Sequence, residues 1–63
     1  MQLKVNGEQR EVAEGTTVRA LVAQFNLVPE KVAIELNRRL VRDYERVLKD
    51  GDEVEIVTFV GGG

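Results

Sequence analysis

The chain has 63 residues, of which 32% are charged and 43% hydrophobic, and its formal net charge is −2. A chain of this length forms one domain that buries only about 60% of its unfolded surface, so little apolar area is left for a deep substrate pocket. It contains neither Cys nor His, which excludes disulfides and thiolate nucleophiles and removes the commonest general base and metal ligand. We therefore expect a protein that is not an enzyme and holds no metal.

The composition gives no sign of a membrane or nucleic-acid partner. There is no long apolar run, and the N-terminal Met1-Gln2-Leu3-Lys4 lacks the pattern of a signal peptide. The slightly acidic net charge provides no electrostatic reason to bind nucleic acid. We therefore expect a cytoplasmic protein with neither kind of partner.

The N-terminal residues predict a β-hairpin. Leu3 and Val5 alternate with polar neighbours, the period-2 pattern of a strand with one buried face. Asn6-Gly7 follows, and this pair favours a type I′ turn because both central residues of that turn need positive φ. The chain is then expected to return through a more polar second strand, residues 8–13.

Residues 14–26 predict a turn followed by a short helix. Gly15 lets the chain turn, and Thr17 can accept a hydrogen bond from the first exposed amides of the helix. Apolar residues at helical spacing form one stripe: Val18, Leu21, Val22 and Phe25. Asn26 is expected to end this helix, which spans residues 17–26, and Pro29 prevents its simple continuation.

The second half of the chain predicts two strands and a connecting loop. Val32–Leu36 alternates as a third strand, and residues 37–39 form a tight turn into the short segment Leu40–Val41. Residues 42–49 are charged and predict a loop with one helical turn. Asp50-Gly51-Asp52 is typical of a turn. Residues 53–59 form the clearest strand, with Val54 and Ile56 facing the core.

This order of elements indicates an α+β fold. One main helix packed on one face of a mixed four- to five-stranded sheet is a standard layer arrangement. By analogy with known topologies we expect a β-grasp fold, in which the first and last strands lie side by side in the middle of the sheet. Residues 1–60 form the domain, and residues 61–63 form a flexible glycine tail.

The three C-terminal glycines permit a particular chemistry. A glycine tail is thin, adopts any φ and ψ, and ends in a carboxylate. A carboxylate becomes an acyl donor once ATP adenylates it, after which a sulfur nucleophile can displace AMP. The chain lacks a phosphate-binding loop, so another protein would have to bind the ATP. The alternatives are a cloning scar, a frayed terminus or a piece of linker.

Four segments together carry a family resemblance. They are the helix entry Gly15-Thr16-Thr17-Val18, the strand exit Ile34-Glu35-Leu36-Asn37, the turn Lys49-Asp50-Gly51-Asp52, and the ending from Glu53 to Gly63. In this order, with the terminal Gly-Gly, they resemble the thiamine-biosynthesis sulfur-carrier proteins, a branch of the ubiquitin-like sulfur carriers. The resemblance covers essentially the whole chain.

The resemblance implies a reaction cycle and its partners. An ATP-dependent adenylyltransferase of the ubiquitin-activating type would adenylate Gly63, with Gly62 as part of the tail, and Gly61 lies where the family pattern is open. A cysteine desulfurase or a sulfur-relay protein would supply sulfur for a C-terminal thiocarboxylate, which thiazole synthase would consume. The carrier itself would bind no cofactor. The same chemistry could instead serve molybdopterin, tungsten-cofactor, tRNA or amino-acid sulfuration, or the chain could be a modifier or interaction module without sulfur chemistry.

Two surfaces are candidates for partner contacts. Strand alternation leaves Val57 and Phe59 on the face opposite the core, next to Val60 and the tail, and these three residues are predicted to dock a partner. The alternatives are that the loop 42–49 covers them or that they are ordinary surface residues. A basic run, Arg38, Arg39, Arg42 and Arg46, either steers an acidic partner or forms a solvated face.

Overall fold

A computed structural model of the chain describes residues 1–59. In this part of the chain, five strands and one α-helix follow the predicted order. The strands are β1 (Gln2–Val5), β2 (Glu8–Glu11), β3 (Val32–Leu36), β4 (Arg39–Leu40) and β5 (Glu53–Thr58), and the helix is α1 (Val18–Ala23). A single turn of 3₁₀ helix, Pro29–Lys31, precedes β3.

The strands form one mixed sheet in the order β2-β1-β5-β3-β4. The two terminal strands β1 and β5 are parallel neighbours in its middle, and Val5 lies opposite Val54. The other pairings are antiparallel, including β3 with β5, in which Ile34 lies opposite Ile56. This is the β-grasp arrangement, so the predicted fold class is confirmed.

The predicted type I′ hairpin joins β1 and β2. Asn6 and Gly7 have φ values of 50° and 84°, which only Gly, Asn and Asp adopt readily. The strand β2 is shorter than the predicted 8–13, because it ends at Glu11. One further pair of backbone hydrogen bonds joins Met1 and Val12. The Val12 side chain is buried in the core.

Thr17 begins α1 as predicted. Its backbone is extended, and its hydroxyl oxygen accepts a hydrogen bond from the Ala20 amide at 3.1 Å. The regular helix ends at Ala23, earlier than predicted. The chain then tightens, since Asn26 donates to the Ala23 carbonyl and Leu27 to the Val22 carbonyl. This is a Schellman-type ending, and Asn26 supplies its left-handed residue with φ 61°.

The core lies between α1 and the sheet. The helix contributes three fully buried side chains, and the strands contribute the alternating residues that the sequence predicted. The buried apolar residues are Leu3, Val5, Val12, Val18, Leu21, Val22, Ile34, Leu36, Val41, Leu48, Val54 and Ile56. Phe25 is only partly buried against this core, and the Arg10 guanidinium lies 4.4 Å from the centre of its ring.

The prediction of a helical turn in residues 42–49 is wrong. The segment is a loop with a turn at 44–45, and it caps the start of α1. The Val18 amide donates to the Arg46 carbonyl at 3.0 Å, and the Arg19 amide donates to the Tyr44 carbonyl at 2.9 Å. The carbonyls of Tyr44 and Arg46 thus accept hydrogen bonds from the free amides of α1, and not from amides of a helical turn within the loop.

Arg19 ties the loop to the 3₁₀ helix. Its guanidinium lies 2.8 Å from the Glu45 carboxylate and 3.0 Å from the Glu30 carboxylate. The hydrogen bond to Glu45, followed by that to Glu30, raises the pKa of Arg19. The hydrogen bond from Arg19 in turn lowers the pKa of Glu30. These pairs are solvent-exposed, so they fix geometry more than they add stability.

The 3₁₀ helix at Pro29–Lys31 was not predicted from sequence. In the sequence, Pro29 indicates only that α1 does not simply continue. Proline is also favoured at the first position of a helix, because an N–H at that position would have no partner within the helix. Its ring is among the fully buried side chains. Within residues 1–59, neither helix is long and apolar enough to cross a membrane.

Candidate docking surface beside the last strand

In the described part of the chain, one face of the sheet carries no helix, and β5 presents its odd-numbered side chains there. Val54 and Ile56 point into the core, while Val57 is 52% exposed and Phe59, just after the strand, is 68% exposed. The loop 42–49 does not cover them, since it packs at the start of α1. Their predicted exposure is therefore confirmed, whereas their role in docking stays a prediction.

Along β5, the open face is apolar only near the end of the strand. Val57 lies opposite Ala33 on β3, so two small apolar side chains sit next to each other there. Towards the start of β5 the face becomes charged, because Glu55 lies opposite Glu35 and Glu53 lies opposite Lys4. The apolar patch formed by Ala33, Val57 and Phe59 therefore lies where the chain leaves the sheet towards its C-terminus.

Two asparagines hold β5 in place from either side, and sequence reasoning missed this role. The Asn6 side chain exchanges hydrogen bonds with the backbone of Ile56. The Asn37 side-chain oxygen accepts from the Glu53 amide at 2.9 Å, and the Asn37 amide donates to the Glu53 carbonyl at 2.7 Å. The only sequence signal was that each asparagine occupies a tight turn. Their positive φ values, 50° and 51°, fit those turns.

Leu40 is a further exposed apolar residue that the sequence did not single out. It lies on β4 opposite Glu35 and is 57% exposed. The alternation Leu40–Val41 was the available signal, because Val41 is buried and its neighbour must then face outwards. Leu40 is separated from Val57 by the intervening strand β3.

The structure divides the predicted basic run. Arg38 lies in the turn before β4, with its guanidinium 4.0 Å from the Glu53 carboxylate, on the open face of the sheet. Arg39, Arg42 and Arg46 instead line a separate groove beside β4. The four arginines therefore do not form one surface.

The predicted sites at Val60, Gly62 and Gly63 lie outside the described residues, as do Gly61 and the predicted boundary between domain and tail. Within residues 1–59, no group of three or more Asp or Glu side chains is placed to hold a metal ion. What the structure offers at this end of the molecule is a rigid strand with an exposed apolar patch that leads into the C-terminal residues.

Comparison with known proteins decides the family. The family model described as "ThiS family" matches residues 3–63, which include β5, the apolar patch and the three glycines. The chain belongs to the ThiS family. The resemblance found in the sequence is thereby confirmed.

Individual ThiS-family relatives agree over the whole chain. The sulfur carrier protein ThiS of Bacillus subtilis is 37% identical over 65 residues, covering 97% of this chain and 98% of that protein. A crystal structure of the thiamine biosynthesis protein ThiS from Geobacter metallireducens superposes with a TM-score of 0.79 at 36% identity, covering 100% of both chains.

A longer relative also contains a ThiS-like region. The thiazole synthase of Paramagnetospirillum magneticum is 42% identical over 66 residues, which cover 100% of this chain but only 20% of that protein. The chain thus spans about a fifth of the length of the first curated relatives it matches.

Proposed function

We propose that this chain is a sulfur carrier of thiamine biosynthesis. In this proposal, the carboxylate of Gly63 is adenylated and then converted to a thiocarboxylate, which donates its sulfur to thiazole synthase. The observation that carries the proposal is the ThiS-family match, which extends through the C-terminal glycines. The Bacillus subtilis relative supports it, because it is named a sulfur carrier and aligns over almost its whole length.

The choice of thiazole synthase as acceptor has separate support. The Paramagnetospirillum magneticum relative bears that name, and the region similar to this chain is a fifth of its length. A carrier-like region and a synthase within one polypeptide are what we expect when the synthase uses the sulfur that the carrier brings. This favours thiamine over the other sulfuration pathways that share the carrier chemistry.

The chemistry requires enzymes that this chain does not supply. A carboxylate oxygen of Gly63 attacks the α-phosphorus of ATP, and pyrophosphate leaves. The outer sulfur of a persulfide on a cysteine desulfurase or a relay protein then attacks the acyl carbon and displaces AMP. A thiol reductant cleaves the S–S bond of the resulting acyl disulfide, which frees the thiocarboxylate. Without Cys or His, the chain offers no thiolate or imidazole for any of these steps. We therefore propose that the carrier is not an enzyme and that an adenylyltransferase of the ubiquitin-activating type binds the ATP. We also propose that the carrier is cytoplasmic.

An apolar patch on the described surface supports a docking site next to the tail. Ala33, Val57 and Phe59 form an apolar area at the end of β5, directly before Val60 and the glycines in sequence. We propose that the adenylyltransferase contacts this patch while it holds the tail. The two asparagine contacts on β5 keep the patch at a fixed position relative to the sheet.

Intact-mass measurement tests the proposal. The protein is incubated with ATP, a sulfur source and the adenylyltransferase, and the expected product is heavier by the difference between one sulfur and one oxygen atom. Thiazole synthase supplied with its own substrates, which accept the sulfur, should then return the mass to its starting value, whereas a molybdopterin-type enzyme with its substrate should not. Absence of both the adenylate and the mass shift would overturn the proposal.

The glycine variants must be chosen with care. Because the three glycines are consecutive, deleting any one gives the same product, which still ends in Gly-Gly. A one-residue deletion therefore measures the reach of the tail. The substitution Gly63→Val alters the terminal residue at constant length and should prevent the mass shift, since a side chain would obstruct a narrow channel. The matched variant Gly61→Ala should retain it if only the last two glycines are required.

A further inference from the structure

The six arginines of the chain fall into two groups. Three have partners within residues 1–59: Arg10 stacks on an aromatic ring, Arg19 binds two carboxylates, and Arg38 lies near one. The other three, Arg39, Arg42 and Arg46, have no ion pair or side-chain hydrogen bond in that part of the chain. They occur together, which is unexpected in a chain of net charge −2.

These three arginines line a groove of about 330 Å³ beside β4. The groove also contains Leu40, which is 57% exposed, and a single carboxylate, Asp43. Asp43 is already engaged, because its Oδ1 accepts a hydrogen bond from the Glu45 amide at 3.2 Å. The groove therefore carries an excess of positive charge. The Leu40 side chain lies on the other face of β4 from Arg39, because successive residues of a strand point to opposite faces.

The backbone beneath the groove is fixed before any partner arrives. The Arg46 amide donates to the Asp43 carbonyl at 3.2 Å, and the Arg46 carbonyl accepts from the Val18 amide of α1 at 3.0 Å. On the other side, the Val41 amide donates to the Ile34 carbonyl of β3 at 2.9 Å. Binding of a partner would thus order the arginine side chains but not the backbone of the loop. The entropic cost of binding is lower for that reason.

The groove runs along a free sheet edge. Strand β4 is the last in the sheet, so among residues 1–59 no other strand faces its outer side. In an antiparallel pair, successive residues direct their backbone groups alternately towards and away from the neighbour. Since Val41 bonds to β3, the backbone N–H and C=O of Leu40 point to the free edge, where an extended segment can reach them.

We propose that this groove binds an extended acidic segment of a partner protein. Its carboxylates face Arg39, Arg42 and Arg46, and its backbone pairs with the N–H and C=O of Leu40 at the edge of the sheet. Arginine suits this role because its planar guanidinium binds carboxylates in a bidentate manner. The proposal goes beyond the sulfur-carrier function and does not depend on it, since the groove is distinct from the apolar patch at the end of β5.

The test uses a synthetic peptide rich in Asp and Glu. Titrated into the ¹⁵N-labelled protein, it should shift the backbone amide signals of residues 39–46, above all Leu40. The double variant Arg42→Glu/Arg46→Glu should bind it at least about tenfold more weakly, because opposed charges become like charges. Its neutral counterpart Arg42→Gln/Arg46→Gln should show an intermediate affinity.

A charge-matched control separates the groove from general electrostatics. Lys31→Glu/Lys49→Glu changes the net charge by the same amount at exposed residues outside the groove, and it should retain most of the affinity. Equal weakening in both double variants, no shift in residues 39–46, or shifts scattered over the surface would overturn the proposal. So would equal binding of inorganic phosphate, or tighter binding of a single-stranded RNA oligonucleotide. The spectra report folding of each variant directly.

Discussion

The Asn6 side chain pairs with both backbone polar groups of Ile56. Its Oδ1 accepts from the Ile56 amide at 2.7 Å, and its Nδ2 donates to the Ile56 carbonyl at 3.3 Å. The Asn6 backbone amide donates to Val54 at 2.9 Å. A turn residue thus continues the parallel pairing of β1 with β5 beyond the end of β1, and holds the central strand near the proposed docking patch.

Two substitutions of Asn6 should distinguish the contribution of its side-chain hydrogen bonds to stability from the contribution of its positive φ in the turn. Asn6→Gly keeps the positive φ but removes both side-chain bonds, so we expect a loss of about 1–2 kcal/mol in the free energy of unfolding. Asn6→Ala should cost about 1 kcal/mol more, because alanine is strained at positive φ. Urea denaturation measures both. Equal stability of Asn6→Gly and the parent would show that the contacts with Ile56 contribute nothing.

The pair Arg19–Glu30 predicts a pH-dependent contribution to stability. Arg19 lowers the pKa of Glu30 below its ordinary value of 4.5. The folded state therefore favours the ionised carboxylate, and the stabilisation is fully present above pH 4.5 and is lost as the pH falls through the folded pKa. Arg19→Gln should reduce stability at neutral pH, by an amount that shrinks in acid and at high salt.

NMR titration of the Glu30 carboxyl provides a direct check. Its pKa should rise towards 4.5 in Arg19→Gln. The substitution also removes the contact between the guanidinium and the Tyr44 ring, but that contact does not affect the Glu30 pKa. Glu30→Gln serves as the control, because it lacks the titrating group and its stability should no longer show this part of the pH dependence. An unchanged Glu30 pKa in Arg19→Gln would contradict the assignment.

The like-charged pair Glu35–Glu55 predicts a stabilising substitution. These residues lie directly opposite each other on β3 and β5, on the exposed face of the sheet. Like charges in this arrangement repel, so Glu55→Lys should raise the free energy of unfolding by up to about 1 kcal/mol. The control Glu8→Lys changes the net charge equally at an exposed position opposite Val5. Similar gains from both would point to net charge, and not to the pair.

Local patterns explain what the sequence predicted correctly. The alternation around Val54 and Ile56 decides which side of β5 is buried, and it therefore also predicts the exposure of Val57 and Phe59. The Asn6-Gly7 turn needs only its own backbone angles. Each of these features depends on residues a few positions apart, so a single sequence contains the information.

Long-range contacts explain what was missed. The loop 42–49 acts as a cap for α1 because Arg46 meets Val18, a partner far away in sequence, and no local periodicity indicates that. The division of the basic run, by contrast, has a local cause. The tight turn at Asn37 and Arg38, with φ values of 51° and 72°, places Arg38 on a different surface from the groove. The sequence predicted the turn but not the direction in which each arginine leaves it.

The proposed docking patch predicts that Val57 matters for adenylation while an equally exposed valine does not. Val57 and Val47 are both 52% exposed, but Val47 lies beside Thr17 at the start of α1, away from the end of β5. Val57→Asp and Phe59→Asp should each weaken adenylation, measured as the initial rate of ATP–pyrophosphate exchange at limiting carrier, by tenfold or more if they are central to the contact. Val47→Asp should leave this rate unchanged.

Stability measurements on the same variants distinguish the loss of a partner contact from a loss of folding. An exposed valine replaced by aspartate on a strand or bridge loses similar burial at either site, so the free energy of unfolding should change by comparable amounts in Val57→Asp and Val47→Asp. If adenylation falls only in proportion to stability, or falls equally at both sites, the patch is an ordinary surface. A selective loss at Val57 and Phe59, which raises the half-saturating carrier concentration more than it lowers the maximal rate, identifies a contact made on binding.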